Sequence, residues 1–204
     1  MGRIYIARHG ETEWNAQGRI QGHTDIDLSE TGRRQALALA RRLADVPLHH
    51  AYSSDLSRTS ETARIILGQR PVPLNPTPLL REYHKGVFEG LTPEEYRQQY
   101  PHLYEASLVN DLDFAPPGGE TMRQATARLS QFVAKVRSRH LSDNVLVVGH
   151  GGTLRSLVVA LLELPLEANW KFVMGNCALS VFDIYPDNAV MRLYNDDSHL
   201  RESL

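Results

Sequence analysis

Apolar residues recur along the chain in two alternating rhythms. Short apolar runs at Ile4-Tyr5-Ile6, Ala51-Tyr52-Ser53 and Val145-Leu146-Val147-Val148 read as strands, and later strands are expected near 178–184 and 190–194. Between them the period lengthens to that of a helix. Ala36, Leu37, Ala40 and Leu43 recur on one side of residues 33–43, and Ala125, Leu129, Phe132, Val133 and Val136 do the same in a long segment from Gly118 to about His140. Thr153 to Leu162 is apolar on most sides and reads as a buried helix. Strand and helix alternating in this way predict an α/β protein whose mostly parallel sheet is covered by helices on both faces.

Punctuation residues refine the boundaries. Ser54 or Asp55 is placed to cap a helix that runs to about Leu67 and is stopped by Gly68, which puts Arg58 on its first turn. The stretch 70–80 holds four prolines and predicts an extended crossing with at most a short edge strand. Thr92-Pro93-Glu94-Glu95 reads as a helix start with proline in the first turn. The remainder of 83–119, broken by Pro101, Pro116 and Pro117, is expected to be a lid or insertion within a single domain spanning 1–204.

Composition narrows the function classes. With 204 residues and 42% hydrophobic content the chain can bury one substantial core. A net charge of -2 gives no support for a nucleic-acid partner, so any cationic site must be local. Cys177 is the one cysteine, which rules out an intramolecular disulfide and any thiol cluster for metal. The N-terminal apolar run is too short for a signal peptide, and nowhere do about 18 apolar residues run together. A cytoplasmic protein with no membrane partner is expected.

The chemistry concentrates at strand ends. Ile4-Tyr5-Ile6 leads into Arg8-His9-Gly10, and the 145–148 strand leads into Gly149-His150-Gly151-Gly152. In open α/β sheets ligands bind beyond the carboxyl ends of the strands. Arg8-His9-Gly10 by itself would pass for an ordinary strand-loop junction; two histidine-glycine pairs and a helix-borne Arg58 form a pattern. A phosphomonoester needs positive charge on its nonbridging oxygens, a nucleophile in line with the leaving oxygen, and a proton for that oxygen. Arg8 and Arg58 can supply the charge through paired hydrogen bonds. His9, kept neutral by two neighbouring cations, can supply the nucleophile. His150 can be a stabiliser of the transferring group or a second nucleophile, and Gly151 can offer a backbone N–H to an anion. The other histidines (His23, His49, His50, His84, His102, His140, His199) show no metal-ligand spacing and are expected mostly to face solvent.

These motifs resemble the histidine phosphatase (phosphoglycerate mutase-like) superfamily, branch 1. Besides Arg8-His9-Gly10, the stretches GRIQGHTDIDLSETG (18–32), SSDLSRTSETA (53–63), Leu80-Arg81-Glu82, PGGET (117–121), VGHGG (148–152) and NCALS (176–180) occur in the family's order. The resemblance implies a phosphoglycerate mutase-like, three-layer α/β/α fold. It implies that His9 becomes the phosphohistidine while His150 stabilises, that Glu82 is the general acid and later the base, and that Asn15, Gln21 and Gly22 touch the phosphate or its ester group. As an acid, Glu82 is expected to have a raised pKa, with Glu11, Glu13 and Glu89 as competitors. The route needs no metal and no cofactor, and relatives are often homodimers.

Within the family the chain resembles hydrolases more than mutases. It is short, and after Glu82 it reads Tyr83-His84-Lys85-Gly86-Val87-Phe88-Glu89-Gly90-Leu91. That form, with Asn176-Cys177-Ala178-Leu179-Ser180, is similar to bacterial broad-specificity and α-ribazole phosphatases. The expectation is a phosphatase acting on small-molecule phosphate esters. The alternatives are a cofactor-dependent phosphoglycerate mutase and a catalytically dead interaction module; the latter requires loss of a pocket residue, and Arg8, His9, Arg58, Glu82 and His150 are all present.

Overall fold

In the computed structural model, which describes residues 2–201, β1 (Gly2–Arg8) runs through the middle of a six-stranded sheet. The chain continues through a single turn, α1 (Glu13–Ala16), then α2 (Glu30–Arg42), β2 (His50–Ser53), α3 (Ser57–Leu67) and the edge strand β3 (Leu74–Pro76). Residues 83–119 hold α4 (Pro93–Gln99) and α5 (Pro101–Leu108), followed by α6 (Met122–Arg139), β4 (Asn144–Gly149) and α7 (Gly151–Leu161). The antiparallel pair β5 (Leu179–Ile184) and β6 (Ala189–Asp196) and the short α8 (Ser198–Arg201) complete the described chain. The order is β3-β2-β4-β1-β5-β6, parallel from β3 to β1 and antiparallel from β1 onward.

Alternation along the strands divides the core in two. Ile4, Ile6, Val145, Val147 and Phe182 point to one face and pack with α6 and α7 through Phe132, Val136, Leu154 and Val158. Tyr5, Ala7, Leu146, Val148 and Leu179 point to the other and meet α2 and α3 through Leu39, Leu43, Ala63 and Ile66. Side chains of successive strand residues face opposite ways, so each strand feeds both layers.

Several boundaries differ from the sequence expectation for identifiable reasons. The apolar stripe of α2 runs through Ala36 and Leu39, with Leu43 just beyond its end, while Leu37 is 49% exposed. Spacings of three and four both fit a helix, and an alanine-rich stretch leaves the phase undetermined. Neither Ser54 nor Asp55 caps α3. Its Ser57 amide is held by the carboxylate of Asp25 at 2.8 Å, while Asp55 pairs with Arg81 at 2.7 Å. His140 and His199 are buried rather than solvent-facing. Among the described residues no helix is long and apolar enough to cross a membrane.

Candidate active site

Register places the two motif histidines side by side. Parallel pairing sets Arg8 opposite Gly149, so the next residues, His9 and His150, leave adjacent strand ends together, and the His9 amide donates to the Gly149 carbonyl at 3.0 Å. Their rings meet edge to face with centroids 5.2 Å apart. Gly10 is required by close approach: a Cβ there would stand 2.4 Å from the Gly32 carbonyl oxygen of α2. Arg58 reaches the same point from the first turn of α3, and its guanidinium is wholly buried. It donates to the Thr24 and Gly22 carbonyls at 2.8 Å each and, through Nε, to His150 Nδ1 at 3.2 Å.

These groups line a cavity of about 200 Å³ with Asn15, Gln21, Gly22, Glu82, Lys85 and Arg19. Several buried polar atoms here lack a partner: Arg8 Nε, His150 Nε2 and Gln21 Oε1. Buried groups of this kind cost free energy unless a ligand satisfies them. Two unpartnered donors beside the Arg58 guanidinium suit an anion with several acceptor oxygens. Asn15 is fixed by the capping box of α1 and accepts from Thr12.

Both histidines are held in their neutral form. Burial pushes the His9 pKa well below the ordinary value, and Arg8, His150 and Arg58 depress it further. Burial and then Arg58 and Arg8 do the same to His150. Burial also lowers Arg58, to about 10, which leaves it charged at neutral pH.

Glu82 departs from expectation. Burial would raise its pKa, but the backbone amides of Gly152, Tyr83 and Thr153 and the charge of Lys85 outweigh burial and hold it down to about 2. Oε2 accepts from the Gly152 amide at 2.9 Å, and Oε1 from the Tyr83 and Thr153 amides at 2.9 and 3.0 Å. Two N-terminal amides of α7, those of Gly152 and Thr153, are thus spent on the Glu82 carboxylate. The raised pKa expected of a resting general acid is absent, and linear spacing hides the reason, since two of the three amide donors, Gly152 and Thr153, stand 70 and 71 positions away. Gly151 lies on an adjoining cavity with Arg8, Glu82 and Arg155, outside the lining of the phosphate-sized one.

The competing carboxylates do not line the cavity. Glu89 accepts from the amides of His23, Thr24 and Lys85 and from the Thr24 hydroxyl, and Glu11 accepts from Ser29. Glu13 is exposed. Sequence reasoning gave no role to Lys85, Arg19 or Asn176. Asn176 Nδ2 donates to the His9 carbonyl at 2.9 Å, a contact foreshadowed only by its place in the 176–180 motif. At the opposite end of the strands, donor atoms of His50, His140 and Asp143 lie within 4.8 Å of one another, a grouping invisible in linear spacing. There His140 binds Asp143 at 2.8 Å and Tyr52 at 2.9 Å.

Residues 4–197 match the histidine phosphatase superfamily (branch 1). The metal-independent phosphoserine phosphatase of Arabidopsis thaliana is 36% identical, over 97% of this chain and 82% of that one. The phosphoglycerate mutase-like protein 4 of the same plant is 35% identical, over 98% and 87%. Among solved structures, the α-ribazole phosphatase of Shigella flexneri superposes with a TM-score of 0.90 at 30% identity, over 96% of each chain.

Proposed function

The chain belongs to branch 1 of the histidine phosphatase superfamily, and from that membership and the pocket we propose that it hydrolyses small phosphomonoesters in two steps through a phosphohistidine on His9. One observation carries the choice of nucleophile. His9 Nδ1 lies 2.7 Å from the Gly10 carbonyl, which can only accept, so Nδ1 holds the proton and Nε2 keeps its lone pair.

In the first step Nε2 attacks phosphorus, the P–O ester bond breaks, and the leaving oxygen takes a proton. Arg8, Arg58 and the His150 Nε2–H stabilise the charge that develops on the nonbridging oxygens. In the second step water attacks the phosphorus, the P–N bond breaks, inorganic phosphate departs and His9 returns to its starting tautomer. Glu82, ionised at rest, is the base that takes the water proton. In the first step it passes a proton that arrives with the substrate monoanion to the leaving oxygen. Each task falls to a protein group, which supports a metal-independent route. Tyr83, Lys85, Phe88, Tyr96 and Phe114 of the 83–119 segment line a cavity that adjoins the phosphate-sized one, which supports a role for the segment in receiving the leaving group.

The test is a panel assay of phosphate release alongside interconversion of 3- and 2-phosphoglycerate, with and without bisphosphoglycerate. Phosphate release from several esters is expected. Efficient interconversion with negligible release would overturn the hydrolase reading in favour of a mutase.

A further inference from the structure

Two cations at the pocket's edge touch no atom of the reacting phosphoryl group in the steps above, although the charge of one, Lys85, helps to hold Glu82 ionised. Arg155 stands one turn into α7; among the described residues its buried Nε has no hydrogen-bond partner and its one contact with an aromatic or charged group is the Trp170 ring, 6.0 Å from the guanidinium carbon. Lys85 forms no ion pair with any described residue; its ammonium lies 5.2 Å from the centre of the Tyr83 ring. Both line a cavity of about 210 Å³ walled by Tyr83, Phe88, Tyr96 and Phe114. That cavity shares Ile20 and Lys85 with the phosphate-sized one, so a leaving group extending from a bound phosphoryl group enters it.

The cavity's acidic groups form no ion pair with either cation among the described residues. Glu120 is engaged by Arg128 at 2.7 Å and by the His84 amide at 3.0 Å. Asp111 accepts from the Asp113 amide at 2.9 Å. Burial is the first cause that disfavours the charged form of Lys85, joined by the charge of Arg155 and opposed from a distance by Glu82, Glu120 and Glu89. Two unpaired, partly desolvated cations facing one cavity cost stability that an anionic ligand would offset. A carboxylate suits aromatic walls better than a second phosphate, since a monoanion costs less to desolvate than a dianion, and its two oxygens match the guanidinium fork.

We propose that Arg155 and Lys85 form a second anion subsite and that the preferred substrates are phosphomonoesters whose leaving alcohol carries a carboxylate. The proposal rests on the phosphatase reading and deepens it. Its test uses a matched pair, 3-phosphoglycerate and glycerol 3-phosphate, which differ only in a carboxylate against a hydroxymethyl group, with p-nitrophenyl phosphate as a third substrate. Wild type is expected to favour 3-phosphoglycerate in kcat/KM by about tenfold or more, as befits a charge-assisted hydrogen bond. In Arg155→Met the preference collapses toward one, chiefly through a higher KM for 3-phosphoglycerate, and Arg155→Lys restores part of it. Lys85→Met moves the same ratio, with a further effect on both substrates through the neighbouring Glu82.

Equal handling of the pair by wild type that still hydrolyses p-nitrophenyl phosphate overturns the subsite and leaves the phosphatase reading standing. So does an unchanged ratio in Arg155→Met, or a stronger preference for a bisphosphate than for the carboxylate. If no ester is hydrolysed, the phosphatase reading fails, and calorimetric titration of His9→Ala with the same pair decides the subsite by itself: tighter binding of 3-phosphoglycerate, weakened by Arg155→Met, supports it, and equal binding rejects it.

Discussion

His9 and His150 face one pocket in opposite tautomers. The Gly10 carbonyl fixes the proton of His9 on Nδ1, and the Arg58 Nε–H, which can only donate, fixes the proton of His150 on Nε2. One ring therefore presents a lone pair and the other a donor, although both leave the sheet by the same kind of strand end. The division of labour follows from what lies behind each ring.

His9→Ala is therefore expected to abolish turnover, and brief incubation of the wild type with substrate should leave acid-labile phosphate on His9 Nε2. His150→Ala should slow phosphorylation by about a hundredfold to a thousandfold, the cost of losing one donor to a developing oxyanion. Mass spectrometric localisation of the phosphate on His150 would reverse the assignment.

The depressed pKa of His9 sets the acid side of the pH profile. Protonation removes its lone pair, and because burial and the neighbouring cations favour the neutral ring, kcat/KM should show no loss from His9 protonation as pH falls through the ordinary histidine range near 6.5. Stability behaves differently. Below about 6.5 the unfolded chain takes up protons on these two histidines that the folded protein refuses, so Tm should fall with pH from there toward their lower folded values. A drop in kcat/KM with a midpoint near 6.5 would show that His9 titrates normally.

Much of this arrangement was legible in the sequence because its signals are local. A strand running into Arg8-His9-Gly10, another into Gly149-His150, and Arg58 on a first turn each need only neighbouring residues to be recognised, and the parallel register then brings them together. What escaped depends on distant partners. The charge state of Glu82 is set by amides of α7, the cap of α3 comes from Asp25, and His50 meets His140 and Asp143 only once the strands are aligned. The helix α5 was also unanticipated, since it begins at Pro101, a residue that marks a break and a first turn equally well.

Gly22 ties the loop before α2 to the Arg58 guanidinium. Its φ of +54° is costly for other residues, and a Cβ there would lie 2.1 Å from Glu89 Oε1. Gly22→Ala should displace Glu89, loosen the 22–24 carbonyls that hold Arg58, and destabilise the fold by about 1–3 kcal/mol. The check is thermal unfolding together with the inhibition constant of inorganic phosphate; unchanged values of both would mean that the loop repacks freely.

Glu82→Gln tests the group whose resting state departs most from expectation. The carboxylate is ionised in the free protein, so the proton for the leaving oxygen must come in on the substrate, whose second ionisation lies near 6. Accordingly kcat/KM should rise as pH falls from 8 toward 6. In Glu82→Gln the side-chain amide faces backbone N–H donors that the carboxylate accepted, and it cannot relay a proton. Phosphorylation of His9 should slow by about a hundredfold to ten-thousandfold for alkyl phosphates, and far less for an aryl phosphate whose phenolate leaves unaided. Water attack also loses its base, so phosphoenzyme should accumulate with the aryl substrate, and single-turnover release of the aryl alcohol isolates the first step. Equal slowing of that step for alkyl and aryl substrates would show that Glu82 orients the α7 terminus and the pocket electrostatically, without moving a proton to the leaving group.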